Sequence, residues 1–369
     1  MNRALRLAER GRRGVTPNPL VGCVLVKRGE VIGEGFHQQA GEPHAEILAI
    51  QHAESQGLSV AGASCYVTLE PCAHSGRTPP CADRLVKEDI AEVIFAAGDS
   101  NPQVAGQGLE RLRKAGIAVH GPILEAQARW QNRGFFSAIE RDRPWIMIKQ
   151  AVSLDGRSAM ENGESQWITG TAARRDVQRL RAASCAMLTG AGTVLADNPS
   201  LTVREAELGE AFRRQPKRYV LAGKSAAQIV ASAEQLKIFN HAGSQATLLV
   251  SEKFASKKLM ADFEKLASHL LSDVSLNVYK KLADLPALFM AEDIRYVMVE
   301  AGGRLAGSLL QAKLCDELML YQAPIVMGSS ARAGLDLPII QMADKLRFYT
   351  RDERKLGDDR RLQLLPLNT

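Results

Sequence analysis

The sequence predicts two α/β domains in tandem, and three observations carry that prediction. The chain has 369 residues, which fits two domains at about 150 residues each. Short β-rich runs alternate with helical runs along its whole length, the pattern of layered α/β folds. A polar, proline-ended stretch, Arg141-Asp-Arg-Pro144, separates a region 1–143 from a region 144–369.

In the first region, residues 3–13 read as an amphipathic helix with Leu5 and Ala8 inward. Thr16-Pro-Asn-Pro19 is a turn. Residues 21–26 and 31–33 read as strands joined by the tight turn Arg28-Gly29. Helices are expected over 44–54, 80–87 and 106–115, and strands over 63–68, 92–97 and 117–120. One more helix, 123–140, closes a three-layer α/β domain. The second region opens with a strand at 145–151. Further strands are expected at 186–189, 218–221, 247–250, 296–300 and 318–321, and 204–216 is read as a surface loop.

Composition narrows the function. A hydrophobic share of 46% with 24% charged residues is ordinary for a globular protein that buries a core. Aromatics are 5%, too few for base-stacking platforms. The formal charge is +6, but no run of five or six like charges appears, so a nucleic-acid partner is not expected. Sites for phosphorylated small molecules and a diffusely basic surface both account for the charge. Residues 1–14 lack an apolar core and no apolar stretch approaches 18 residues, so neither a signal peptide nor a membrane span is expected. Six cysteines without an export signal suit a reducing cytoplasm.

The strongest motif is His44-Ala-Glu46, followed by Glu70-Pro-Cys72 and Cys81. One imidazole and two thiolates suit zinc, and three protein ligands leave a fourth position for water. Glu46, two residues from His44, is placed to accept that water's proton and return it to substrate. The pattern is that of zinc nucleobase deaminases, with a longer separation between the cysteines than their short form. Cys23 and Cys65 alternate within strands and read as core, and Cys185 and Cys315 have no ligand-spaced neighbours.

Pro17-Asn-Pro-Leu-Val-Gly22, His44-Ala-Glu46 and Thr68-Leu-Glu-Pro-Cys-Ala-His-Ser-Gly-Arg-Thr-Pro-Pro-Cys81 resemble the deaminase half of the bifunctional deaminase-reductase family of riboflavin biosynthesis. The resemblance implies a cytidine-deaminase-like α/β/α domain with zinc on His44, Cys72 and Cys81, and Glu46 as the catalytic acid–base. It further implies a pyrimidine ribotide pocket lined by Asn18, His37, His74, Arg77, Asp99 and Asn101.

The second region is less explicit. Glycines follow strands in Gly190-Ala-Gly-Thr and in Glu300-Ala-Gly-Gly-Arg-Leu-Ala-Gly307, but Leu195 breaks any G-x-G-x-x-G pattern, so a dinucleotide fingerprint is not supported. With Lys149-Gln-Ala-Val-Ser-Leu-Asp-Gly156, Glu164-Ser-Gln-Trp-Ile-Thr169 and Leu201-Thr-Val-Arg204, these segments resemble the reductase half of the same family. That implies a dihydrofolate-reductase-like α/β domain using NADPH. Cofactor contacts would come from Ala151, Trp167, Thr193, Asp197 and the run Gly302, Gly303, Arg304, Leu305, Ala306, Gly307. Substrate contacts would come from Ser165, Arg181, Leu201, Arg204 and Glu300, with Lys149 and Asp155 as candidates to relay a proton. Members of the family are typically oligomeric, so a homo-oligomer is expected.

Two other readings are open at this level. One is a deaminase acting on another nucleoside or on tRNA; the long separation between Cys72 and Cys81 and the second domain count against it. The other is a binding protein with a structural zinc; Glu46 beside a three-ligand site counts against that.

Overall fold

The computed structural model describes residues 1–73, 80–101, 105–208 and 214–367. It divides into two compact units, Met1–Arg143 and Pro144–Thr369.

The first unit runs α1 (Asn2–Glu9), β1 (Gly22–Lys27), β2 (Glu30–Phe36), α2 (Ala45–Ser55), β3 (Ser64–Val67), α3 (Cys81–Lys87), β4 (Glu92–Phe95), α4 (Gln107–Lys114), β5 (Ala118–His120), α5 (Glu125–Gln131) and α6 (Arg133–Arg141). Its sheet has the order β2-β1-β3-β4-β5. β1 is antiparallel to β2 and β3, whereas β3, β4 and β5 are parallel. The β1–β2 turn holds Arg28 at φ 53° and Gly29 at φ 84°, the doubly left-handed geometry that matches strand twist.

Alternate strand residues feed two faces. Cys23, Leu25, Cys65, Val67 and Val93 pack with Ala49, Ile50, Leu85 and Leu112 on one side. Leu69, Ala96 and Ala97 pack with Leu5, Ala128 and Phe136 on the other. This is the expected three-layer arrangement. Glycines let helices lie directly on strands: a Cβ on Gly22 would sit 2.1 Å from the Ala4 carbonyl oxygen, and one on Gly35 would sit 2.4 Å from that of Ala45.

Two helices differ from expectation. The first stops at Glu9 rather than continuing to residue 13, and a Cβ on Gly11 would meet the His37 carbonyl oxygen at 2.3 Å. The expected helix over 123–140 is two, interrupted at Asn132 (φ −103°, ψ 23°). The buried Asn132 amide accepts from the Leu20 N–H at 2.7 Å and donates to the Leu20 carbonyl at 2.9 Å, a long-range pairing that outweighs local helix continuity.

The second unit runs β6 (Trp145–Val152), β7 (Arg157–Ala159), α7 (Thr171–Ala183), β8 (Ala186–Gly190), α8 (Ala191–Asp197), α9 (Glu205–Leu208), β9 (Lys217–Ala222), α10 (Ala226–Ala231), β10 (Gln245–Ser251), α11 (Lys257–Ala267), β11 (Asp273–Tyr279), α12 (Leu285–Met290), β12 (Tyr296–Glu300), α13 (Gly303–Gln311), β13 (Glu317–Gln322), β14 (Arg332–Ala333), β15 (Phe348–Leu356) and β16 (Asp359–Pro366). The main sheet has nine strands in the order β11-β10-β9-β8-β12-β6-β13-β16-β15. Neighbours from β11 to β13 are parallel, and β16 and β15 extend the sheet antiparallel. Met147, Met187 and Met298 face one core; Ile146, Ile148, Leu188, Val297 and Val299 face the other.

β11, β15 and β16 were not among the expected strands. β15 and β11 are the sheet edges, and the β15 sequence Phe-Tyr-Thr-Arg-Asp-Glu-Arg-Lys-Leu is mostly exposed; charged edge strands resist further pairing and carry little apolar signal. Within the expected loop 204–216, residues Glu205–Leu208 are helical, and Leu208 packs with Val203 and Ala182. Residues 209–213 lie outside the described residues.

Candidate active sites

In the first unit, three elements bring the metal-type side chains together. His44 caps α2 in extended conformation (φ −72°, ψ 165°), Cys72 follows β3, and Cys81 opens α3. The His44 Nδ1 lies 3.2 Å from Cys81 Sγ and 3.6 Å from Cys72 Sγ. A tetrahedral zinc with ordinary Zn–S and Zn–N bonds separates such atoms by about 3.6 Å. All three ligand atoms lie within 4.8 Å of one another, so the donor set fits zinc in both chemistry and spacing. The Cys81 N–H also donates to Cys72 Sγ at 3.3 Å. Hydrogen bonds from the Cys81 thiol and His44 lower the Cys72 thiol to about 4, and the same partnership with burial pushes Cys81 up.

Glu46 lies in the first turn of α2 and is 3% exposed. Burial, followed by the negative Cys72 sulfur, raises its carboxyl to about 7. A carboxyl in that range can both take and give a proton near neutrality.

His37 is buried beside this group, its ring edge-to-face with that of His44 at 5.3 Å between centroids. Its Nδ1 lies 3.2 Å from the Pro43 carbonyl oxygen and its Nε2 3.0 Å from Asn18 Nδ2. A carbonyl can only accept, so Nδ1 carries the proton and Nε2 accepts from the Asn18 amide. Burial lowers the His37 pKa, in keeping with that neutral ring. Asp99 and Asn101 follow β4, where the Asp99 carboxylate accepts the Asn101 N–H at 2.8 Å. His74 and Arg77 lie outside the described residues.

In the second unit, α8 starts directly after β8 and α13 two residues after β12, and β8 and β12 are parallel neighbours. The C-terminal ends of such strands are where open α/β sheets take ligands. The Gly302 N–H donates to Thr193 Oγ1 at 3.2 Å, linking the two helix starts. Gly303 and Gly307 serve packing: a Cβ there would meet the Ala333 and Asp336 carbonyl oxygens at 2.3 and 1.9 Å. Ala306 is buried, Leu305 is packed against the core, and Arg304 is exposed near Asp336. Ser165 Oγ lies 3.5 Å from Asp197. Trp167 is 64% exposed with the Arg174 guanidinium 4.6 Å from its ring centroid.

Arg181 reaches Glu300 and the Thr202 carbonyl oxygen. Glu300 stands opposite Lys149 in the β12–β6 register, and Ala151 lies two residues further along β6. Leu201 is buried with φ 51°, a left-handed conformation unusual for a branched residue. The Arg204 N–H donates to Gln178 Oε1 at 3.0 Å, and its guanidinium pairs with Glu207. Asp155 accepts from Ser153 Oγ and from the Met327 and Gly328 N–H groups, and these bonds lower its carboxyl to about 2. A group that acidic is a poor proton donor near neutrality, so its geometry is that of a loop anchor.

The comparisons follow this division. Residues 1–97 match the family model "Cytidine and deoxycytidylate deaminase zinc-binding region", and residues 144–353 match "RibD C-terminal domain". The riboflavin biosynthesis protein RibD of Escherichia coli K12 is 44% identical, covering 99% of this chain and 98% of that protein.

The chain belongs to the RibD family.

Two solved structures agree. RibD of Acinetobacter baumannii is 40% identical with a TM-score of 0.82, covering 100% of this chain and 98% of that one. A diaminohydroxyphosphoribosylaminopyrimidine deaminase/5-amino-6-(5-phosphoribosylamino)uracil reductase from Thermotoga maritima is 31% identical with a TM-score of 0.85, covering 99% and 97%. As a RibD-family member the chain is a bifunctional enzyme of riboflavin biosynthesis, a zinc-dependent deaminase joined to an NADPH-dependent reductase. Among the described residues no helix is long and apolar enough to cross a membrane.

Sequence reasoning gave no role to Glu70 and did not single out Arg111 or Gln178. Glu70 sits inside the quoted Leu-Glu-Pro-Cys run, but its partners Asp99, Gly106 and Gly108 are 29 to 38 residues away; nothing in the local pattern marks them.

Proposed function

We propose that the first unit hydrolyses an amino group from 2,5-diamino-6-ribosylamino-4(3H)-pyrimidinone 5′-phosphate and that the second reduces the ribosyl group to ribityl with NADPH, giving 5-amino-6-ribitylamino-uracil 5′-phosphate. The observation that carries the deaminase half is the convergence of His44, Cys72 and Cys81 beside the buried carboxyl of Glu46.

In this reading His44, Cys72 and Cys81 hold the zinc. Bound there, zinc supplies a water acidified toward neutrality. Glu46 would take the water's first proton and pass it to the ring nitrogen, then carry the second, from the hydroxyl so added, to the amine that departs as ammonia. Asn18, its amide fixed by His37, presents its carbonyl oxygen to the pyrimidinone edge, and Asp99 and Asn101 contribute polar contacts from the loop after β4. Arg77 and His74 are assigned to the 5′-phosphate.

In the second unit, Gly302, Thr193, Asp197, Ala151, Trp167 and the start of α13 are assigned to NADPH. Ser165, Arg181, Leu201, Arg204 and Glu300 are assigned to substrate. The low pKa and saturated partners of Asp155 favour Lys149 over Asp155 as the group that holds a proton beside the opened sugar.

The enzyme is further read as a cytoplasmic homo-oligomer. None of its six cysteines is in a disulfide, in keeping with a reducing compartment. Ile340, Met342 and Val326 on the second unit are 92%, 76% and 72% exposed, apolar side chains that association would cover.

Mass spectrometry of products formed from the ribotide, with and without NADPH, tests the function. The expected result is amino-to-oxo exchange without NADPH and a gain of two hydrogens only once it is added. Zinc-loaded protein that leaves the ribotide unchanged would overturn the reading.

A further inference from the structure

We propose that α4 is a clasp that sets the spacing of Cys72 and Cys81, with Glu70 and Arg111 as its positioning residues. The inference rests on the reading of His44, Cys72 and Cys81 as zinc ligands.

The first N–H groups of a helix have no partner within it. At α4 the buried Glu70 supplies acceptors. Its Oε2 accepts from the Gly106 N–H at 3.0 Å and the Asp99 N–H at 3.3 Å, and its Oε1 accepts from the Gly108 N–H at 3.1 Å. Glu70 stands two residues before Cys72. Between them, Pro71 meets the helix backbone-on-backbone, since a Cβ on Gly108 would lie 1.8 Å from the Pro71 carbonyl oxygen. The start of α4 is thereby fastened to the segment that delivers the first thiol.

One turn later, Arg111 fastens the second. Its Nη1 donates to the Ala73 carbonyl oxygen at 3.0 Å, and its Nε lies 2.7 Å from the Asp83 carboxylate. Ala73 follows Cys72 directly, and Asp83 lies two residues after Cys81 in the first turn of α3. A single guanidinium therefore ties the chain leaving one thiol to the helix bearing the other. The forked donors of arginine make two directed bonds at once, which a lysine ammonium on a flexible stem cannot reproduce with the same geometry. Neither Glu70 nor Arg111 is among the ligands; both act through the backbone that carries them. Supporting residues of this kind fix ligand positions to about half an ångström and so set how long a metal stays bound.

The test uses the full-length, zinc-loaded chain. Metal content is measured first by elemental analysis, and zinc loss to a chromogenic chelator is then followed in the wild type, Arg111→Met, Arg111→Lys and Glu70→Gln. Arg111→Met and Glu70→Gln are expected to lose zinc about tenfold faster, with Arg111→Lys between them and the wild type. Far-UV circular dichroism and the thermal unfolding transition of the first unit, unchanged in every variant, report that the mutated unit is folded, and NADPH-dependent reduction reports the same for the second. Wild-type protein that takes up no zinc would overturn the metal reading and the clasp with it. Zinc-loaded wild type whose loss rate is matched by both Arg111→Met and Glu70→Gln would overturn the clasp alone.

Discussion

Arg181 and Glu300 form a two-point ion pair in the second unit: Nε lies 2.6 Å from one carboxylate oxygen and Nη2 lies 3.0 Å from the other. Their side chains retain 11% and 12% exposure. Burial alone would raise the Glu300 carboxyl, but the charges of Arg181 and Lys149 outweigh it and hold it below its ordinary range.

Removing one partner of such a pair strands the other. Arg181→Met is expected to destabilise the second unit by about 3–5 kcal/mol near neutrality, read by urea unfolding. A carboxylate with a depressed folded pKa contributes stability above its unfolded pKa of about 4.3 and loses it as pH falls through the folded value. The penalty should therefore shrink when unfolding is repeated well below pH 4. Equal penalties at both pH values would show that the pair's charge is not what Arg181 sustains.

The roles proposed at the first site separate metal binding from proton transfer. Glu46→Gln should keep its zinc while deamination falls by about 10²–10⁴-fold. Cys81→Ser should lose zinc and deamination together. Metal analysis beside both assays checks this, and reduction of already deaminated substrate should be unchanged in each. Zinc lost from Glu46→Gln would instead place Glu46 among the ligands.

The glycines after β12 have different tasks. Gly307→Ala forces a Cβ to within 1.9 Å of the Asp336 carbonyl oxygen, and the overpacking should cost about 1–3 kcal/mol in thermal or urea unfolding. Gly302→Ala meets only Thr193 Oγ1, at 4.0 Å. It should fold normally, with its effect confined to a raised KM for NADPH. The opposite ordering of stabilities would contradict this division.

Asp155, lowered to about 2 by its hydrogen bonds, stays ionised throughout the working range. The pH–rate profile of reduction between pH 5 and 9 should keep the same apparent pKa values in Asp155→Asn. A limb of the profile that moves with this substitution would return Asp155 to proton transfer.

The residues proposed for the deaminase centre are legible in the sequence because their chemistry is concentrated in short runs. His44 and Glu46 share the start of one helix, and Cys72 and Cys81 flank one connection. The residues proposed for the reductase site come from resemblance alone. Arg181 and Glu300 are 119 residues apart, and no spacing rule links α7 to the end of β12. The edge strand β15 escaped for a different reason: its exposed, charged sequence lacks the apolar run that marks a buried strand.

By itself the sequence determined the α/β class and the motif from which the metal ligands are proposed, because periodicity and ligand chemistry are properties of neighbouring residues. Only the tertiary structure decided which glycine faces open space and which meets a carbonyl oxygen. It also decided that Asn132 interrupts a helix to bond Leu20, and that Glu70 and Arg111 grip the backbone around the two thiols. These depend on hydrogen bonds and close contacts between distant segments, which exist only once the sheet has brought them together.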